Sequence, residues 1–270
     1  LKYLMELSHI IGYLLAIIVG ITMGLLGSGG SILSVPILVY VMHVSPILGT
    51  AYSLFTVGIT ALFGSYQKAR QKLVDYRKVF MFGFPSILSV FVTRKVILPL
   101  IPDVIFSTQF FTLNKSVLIM IVFAVVMIFA ALRMIKPSVM IEAEASKKLD
   151  FFNIGLQGVV IGFIAGFVGA GGGFLIIPAL VFLARTPMKM AIGTSLLIVA
   201  SQSLIGFLAD IGQEEYIDWK LLIIFTLCSV NGIFIGNLIS KKIEGNKLKS
   251  IFGWFVLVMG IYILIKELFF

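Results

Sequence analysis

The sequence predicts an all-α polytopic membrane protein made of two inverted-topology repeats, each a glycine-broken helical hairpin plus three transmembrane helices. Three observations carry that prediction. Apolar residues make up 60% of the 270-residue chain and charged residues only 12%, against roughly 45–50% and about 25% in soluble domains. A block of twenty residues recurs 142 positions later without a gap. Lysines and arginines gather in short segments between apolar runs, the pattern of cytoplasmic loops. A soluble fold of this length has too much surface to hide so many apolar side chains, whereas a bilayer accepts them.

Apolar runs place helices near 10–26, 31–43, 47–66, 79–95 and 115–135, then near 153–168, 173–184, 190–209, 220–240 and 250–268. Residues 10–42, read as one helix, would be about 50 Å long, against a hydrocarbon core of about 30 Å. Gly27-Ser28-Gly29-Gly30 falls inside this run, which is therefore read as the two limbs of a hairpin. Gly169-Ala170-Gly171-Gly172-Gly173 interrupts 153–184 in the same way. The expected domains are a first membrane repeat over 1–140, a polar cytoplasmic linker over 141–152 and a second membrane repeat over 153–270. The apolar run near the start continues past Gly12 to Ile37, too far for the core of a cleavable signal peptide.

Residues Gly20–Val39 align with Gly162–Val181, with nine identities: Gly20, Gly24, Gly27, Gly29, Gly30, Leu33, Pro36, Leu38 and Val39 in the first copy. The likeness continues in Gly49-Thr50 and Ser53-Leu54 against Gly193-Thr194-Ser195-Leu196, and in Val74-Asp75-Tyr76 against Ile217-Asp218-Trp219. Charge then decides the orientation. If each hairpin returns to its starting side, 15 of the 21 basic residues fall in the inside loops 67–78, 133–152, 184–190 and 241–249. Straight helices in place of the hairpins put only 12 inside. The hairpin arrangement therefore fits the positive-inside bias better. It starts the second half on the opposite side from the first and leaves both termini outside. Inverted repeats of this kind recur in secondary transporters.

Unwound backbone inside a bilayer is tolerated only where protein buries it or it lines a cavity. A helix that starts after such a break aims unsatisfied N–H groups and its positive dipole end at the break. Two such ends, brought together by inverted repeats, make an anion site at mid-depth. The candidate substrate-binding residues are thus Gly27, Ser28, Gly29, Gly30 and Ser31 in the first break, and Gly169, Ala170, Gly171, Gly172 and Gly173 in the second. Thr50, Ser53, Thr194, Ser195 and Gln202 on the following helices are candidates to complete it. Close helix packing is the competing explanation for glycines, and it suits Gly20, Gly24, Gly162, Gly166, Gly232 and Gly236. A bulky residue at Gly29 or Gly171 is expected to block the site while leaving the fold intact.

Arg94-Lys95 is the one charged pair close to a predicted span, and snorkelling to the interface is the expectation for it. No Asp or Glu falls at mid-depth on these boundaries, which suggests export driven by the membrane potential without obligatory proton coupling. No catalytic residue, metal site or cofactor is expected. Ser28 has no mid-helix histidine to act as a base, and neither a HExxH nor a GxxxxGK[ST] motif occurs. Cys228, the single cysteine, excludes an internal disulfide or a CxxC site. The net charge of +9 does not read as nucleic-acid binding, because no basic helix or aromatic-interleaved basic patch accompanies it. The expected partners are a small anion and the lipid bilayer.

Gly27–Pro36, Ser45-Pro46 and Gly49-Thr50 resemble the first half of the sulfite exporter TauE/SafE family. Gly169–Pro178, Ala191-Ile192-Gly193-Thr194-Ser195-Leu196 and Ile217-Asp218-Trp219 resemble its second half, and the likeness covers nearly the whole chain. The resemblance implies a secondary carrier in the plasma (inner) membrane of a prokaryote. It further implies transport of sulfur-containing anions such as sulfite, thiosulfate or organosulfonates, usually outward. Ser28 and Ser31 replace small residues of an otherwise glycine-rich stretch, which leaves the choice of anion open. The alternative is an anion channel with a continuous pore.

Overall fold

A computed structural model describes residues 2–107, 112–135, 151–183, 186–211, 217–240 and 245–269. Most of the expected linker over 141–152, together with Lys241 and Lys242, lies outside the described residues. α1 (Lys2–Leu26) ends where Gly27, at φ 70°, turns the chain. A 3₁₀ segment, Gly27–Leu33, then leads into α2, 34–41, which is α-helical to Pro36 and π-helical over Ile37–Val41. A β-carbon on Gly12 would come within 2.5 Å of Met42 Cγ, so α2 runs back alongside α1. α3 (Pro46–Arg70) opens with proline in its first turn, where the missing N–H has no intrahelical partner to lose. α4 (Tyr76–Leu100) contains two π-helical turns, Val79–Gly83 and Thr93–Ile97. An exposed β-hairpin follows, pairing β1 (Val104–Ser107) antiparallel with β2 (Thr112–Asn114), and α5 (Lys115–Ile135) closes the first half.

The second half repeats this order. α6 (Phe151–Val168) ends in a turn at 169–172, where Gly169, Gly171 and Gly172 all have positive φ. α7 covers 173–183, α8 Met188–Asp210, α9 Trp219–Ile239 and α10 Gly245–Phe269. Each of the ten expected helices is present, and the small sheet is the one element that the apolar runs did not foretell. Six stretches, Leu7–Leu26, Pro46–Arg70, Tyr76–Leu100, Lys115–Leu132, Met188–Asp210 and Trp219–Ile239, are long and apolar enough to cross a bilayer. The protein is a multi-pass membrane protein.

Local details recur at the sequence offset of 142 or within one residue of it. π-Helical turns follow Pro36 and Pro178, at Ile37–Val41 and Ala179–Leu183, since proline cannot donate to the regular ladder. Val44 N then donates to Leu38 O at 3.0 Å and Thr186 N to Leu180 O at 2.9 Å. Asp75 Oδ1 accepts from Lys78 N at 3.2 Å and Asp218 Oδ1 from Leu221 N at 3.0 Å. The two aspartates thus cap α4 and α9 at their N-termini.

Packing registers give the helix directions. On α9, Ser229 and Ile233 lie against Gly20 of α1, Asn237 lies against Gly24, and Gly232 and Gly236 meet Ile17 and Ile21. Residue numbers rise together, so α1 and α9 are parallel. The equivalent pair, α6 and α4, is parallel too: Gly158 meets Phe82, Gly162 meets Ser86, and Gly166 meets Val90 and Thr93. α3 and α8 are antiparallel, with Gly58 against Leu204, Gly64 against Leu196 and Gly206 against Leu54. α5 and α10 are also antiparallel, with Gly253 against Met134 and Ile135, and Gly260 against Met127 and Ile128. Small residues let these backbones approach closely, the usual source of helix association in lipid, and the packing expectation for Gly20, Gly24, Gly162, Gly166, Gly232 and Gly236 holds.

Candidate substrate site

The two glycine breaks cross in direct contact. Ser28 Oγ is 3.2 Å from Gly173 O, and Ser31 Oγ is 2.7 Å from Ala170 O. At the offset of 142, Ser28 corresponds to Ala170 and Ser31 to Gly173, so these two bonds are the same contact made from either side. Glycine is what permits it. A β-carbon on Gly173 would collide with Ser28, and one on Gly30 would sit 2.5 Å from the backbone of Thr22 and Met23. The hydroxyls come from the first break alone, and the second supplies carbonyl oxygens.

Each hydroxyl has one hydrogen and two acceptors within reach. Ser28 also faces Ser195 Oγ at 2.9 Å, and Ser31 also faces Ser28 O at 2.8 Å. Ser195 in turn donates to Ile192 O at 2.9 Å. One turn further along α2, Ser34 shares a short hydrogen bond with Ser53 of α3. Gln202 of α8 donates through Nε2 to Gly171 O and accepts at Oε1 from Ser86 of α4. Ser28, Ser31, Ser34, Ser53, Ser86, Ser195 and Gln202 are all fully buried. The crossing is therefore closed, with its donors held by protein acceptors.

The structure brings together Ser28, Ser31, Ser53, Ser195, Gln202, Ala170, Gly171 and Gly173. Gly29 and Gly30 lie in the 3₁₀ segment, so the first break is a tightened helical turn, contrary to the expected unwound stretch. The second break is the irregular one, and Gly172 there is the left-handed cap of α7. Gly27 packs on Ile192 and Ile177, away from the hydroxyls. Thr194 is also apart: it accepts from Asp75 N at 3.0 Å and holds the turn before α4. Thr50 donates to Ile47 O at 2.8 Å and lies against Gly169, at the far tip of the second break.

One expectation is overturned at that tip. Arg94 does not snorkel; its side chain is 1% exposed, and Nη1 donates to Asp210 Oδ2 at 2.9 Å and to Thr50 Oγ1 at 3.1 Å. Asp210, the last residue of α8, is buried beside that arginine, at the end of its span. The adjacent Lys95 is exposed. Sequence spacing cannot pair residues 94 and 210, which lie on different halves; the one available signal is an arginine within an apolar run. Ser34, Ser86 and Ser203 were likewise not singled out, because isolated hydroxyls are common in membrane helices. Ser203 Oγ is buried without a hydrogen-bond partner. Among the described residues no group of three or more His, Cys, Asp or Glu could hold a metal ion.

Comparison with known proteins agrees with a multi-pass membrane protein. The family profile described as sulfite exporter TauE/SafE matches residues 12–263. A probable membrane transporter protein of Xylella fastidiosa (strain Temecula1) is 29% identical over 253 residues, 92% of this chain and 91% of that protein. The probable membrane transporter protein YunE of Bacillus subtilis is 23% identical over 97% of this chain and its own entire length. A probable membrane transporter protein of Methanocaldococcus jannaschii is 26% identical over 93% of this chain and 95% of its own. No solved structure matches the chain. With crossing helices, paired glycine breaks and a profile match across nearly its whole length, the chain belongs to the sulfite exporter TauE/SafE family of membrane transporters.

Proposed function

We propose that this transporter is a secondary carrier, most simply an exporter, of small sulfur-containing anions such as sulfite, thiosulfate or organosulfonates. It works from the plasma membrane of a prokaryote by alternating access around the two glycine breaks. One observation carries the reading: the breaks cross at Ser28–Gly173 and Ser31–Ala170, equivalent pairs under the internal repeat. Helix directions support inverted repeats over 1–140 and 153–270, because α3 and α8 are equivalent in sequence yet run antiparallel. On this reading both termini lie outside, and the loop between α3 and α4 faces the cytoplasm with the basic residues. The hydroxyls of Ser28, Ser31, Ser53 and Ser195, the Gln202 amide and the backbone of Gly27–Ser31 and Gly169–Gly173 line the opened site, with Thr50 and Thr194 at its margins.

A carrier is favoured over a channel because the crossing is closed by protein hydrogen bonds. Proteoliposomes loaded with thiosulfate or sulfite separate the two. A carrier saturates and accelerates labelled efflux when the same anion is outside; unsaturated current without counter-exchange would establish the channel. A thermal-shift screen of sulfite, thiosulfate, sulfoacetate, sulfate and carboxylates then identifies the substrate, because a ligand of the folded state raises apparent stability by mass action.

A further inference from the structure

A ladder of side-chain hydrogen bonds joins α3 to α9. Thr56 shares one with Thr226 at 3.0 Å, Thr60 donates to Ser229 at 3.1 Å, and Gln67 Oε1 accepts from Asn237 Nδ2. Residue numbers rise together along it, so the two helices are parallel and end on the same side. The first two rungs leave no buried polar atom unpaired, but the third does. Asn237 is 8% exposed, and among the described residues its Oδ1 is buried without a hydrogen-bond partner. An acceptor left in that state costs stability and is rare in native proteins, so a donor from outside the chain is its natural complement.

That rung borders a cavity of about 330 Å³ lined by Gln67, Arg70, Gln71, Phe234, Asn237 and Leu238, at the small end of the range for ligand pockets. Its depth in the membrane follows from the helices, because the apolar spans Pro46–Arg70 and Trp219–Ile239 both end there. Phe63 and Phe234 pair with ring centroids 6.1 Å apart, and both, like Leu238, are exposed, as side chains turned to lipid are. Arg70 is exposed at the end of α3, its guanidinium carbon 5.9 Å from the centre of the Tyr66 ring. Tyrosine is common where acyl chains give way to headgroups. Among the described residues no carboxylate pairs with Arg70, which leaves its planar fork of donors for a phosphate.

We propose that the cavity between the ends of α3 and α9 binds one phosphoglycerol headgroup of the surrounding bilayer. The phosphodiester lies on Arg70, a headgroup hydroxyl donates to Asn237 Oδ1, and the acyl chains run along Phe63, Phe234 and Leu238. Basic pockets between transmembrane helices are a recurring way of holding anionic lipids. Here three features select the occupant together: the arginine takes an anion, the orphan amide oxygen takes a donor, and the exposed apolar flank takes acyl chains. A choline headgroup has no hydroxyl or N–H to give, and a free phosphate has no chains. The site shares no residue with the glycine crossing and does not depend on which anion is carried.

The test titrates single lipids onto the purified protein in detergent and reads bound lipid by native mass spectrometry. Phosphatidylglycerol should bind about tenfold or more tightly than phosphatidylcholine, the fold-change of one charge-assisted hydrogen bond. It should bind about two- to tenfold more tightly than phosphatidylethanol, which carries the same charge without a hydroxyl. Arg70→Gln should remove the first preference. Asn237→Leu, close in volume, should remove the second alone, and Asn237→Ala checks that result with a smaller side chain; melting in phosphatidylcholine shows that each variant is folded. Lys95→Gln, a charge removed from an exposed position on α4, should change neither preference. An Arg70→Gln protein that keeps its preference over phosphatidylcholine overturns the site, as does a Lys95→Gln protein that loses it equally. An unchanged preference over phosphatidylethanol in both Asn237 variants overturns the role of the orphan oxygen. Displacement of bound lipid by millimolar glycerol 1-phosphate or inorganic phosphate overturns the lipid as occupant and assigns the cavity to a soluble phosphate.

Discussion

Gly171→Ala should destabilise the transporter by about 2–5 kcal/mol, and the two parts of that loss can be separated. Gly171 has φ 69°, and a left-handed conformation costs a residue with a β-carbon about 1–2 kcal/mol. The new methyl would also sit 2.8 Å from Ser203 Oγ, 2.9 Å from Val57 Cγ1 and 3.1 Å from Val199 Cγ1; overpacking of this kind costs about 1–3 kcal/mol. Ser203→Ala removes the nearest of these atoms, one that has no hydrogen-bond partner to lose. Added to Gly171→Ala, it should restore about 1 kcal/mol of the packing loss and none of the backbone strain. Gly155→Ala is the control: a β-carbon there meets nothing closer than Pro85 Cγ at 3.9 Å, and within α6 alanine should gain up to about 1 kcal/mol. Unfolding of purified protein in mixed micelles, followed by circular dichroism, reads all four variants. Wild-type stability of Gly171→Ala, or a Gly155→Ala that is the more harmful, would refute the constrained turn. The same distances correct the expectation that a bulky residue at 171 spares the fold, because the site is packed against α3 and α8.

Two further predictions follow. Arg77→Cys and Lys220→Cys, at equivalent exposed positions in the first turns of α4 and α9, should label oppositely with an impermeant maleimide in a Cys228→Ser background; labelling of both from one side would rule out inversion. Asp75→Ala and Asp218→Ala should each cost about 1 kcal/mol as lost caps and leave anion affinity unchanged, so a changed affinity in either variant would count against a purely capping role.

The helices were legible because lipid imposes one rule on every span, and the glycine repeat was legible because its spacing is free of gaps. The same register foretold the crossing, although not that serines of one break would bond to carbonyls of the other: Ser28 and Ser31 align with Ala170 and Gly173, which carry no hydroxyl. Arg94 was misjudged because its environment is made by Asp210, Thr50 and Gly169, none of them near it in sequence. Asp75 and Asp218 could be seen as repeated but not as caps until the starts of α4 and α9 were placed. The β1–β2 hairpin is short, exposed and only partly apolar, so it leaves no periodic signal.

On the carrier reading, the chemistry of the crossing limits how it opens. Three hydroxyl hydrogens hold it in the closed form, that of Ser28 shared between Gly173 O and Ser195, that of Ser31 towards Ala170 O, and the one between Ser34 and Ser53. Interhelical hydrogen bonds in membranes average roughly 0.6 kcal/mol each, so parting all three costs only about 2 kcal/mol, a gap at which the open form is populated at the per cent level. That low figure holds only while freed groups find new partners, since an unsatisfied carbonyl in hydrocarbon costs several kcal/mol. An anion satisfies the hydroxyl donors but offers nothing to Ala170 O and Gly173 O. Water must therefore enter with it, and a strongly hydrated oxyanion brings that water. On that reading, a crossing built from serine donors and backbone acceptors suits an anion carried with part of its hydration shell, with the breaks supplying the gate.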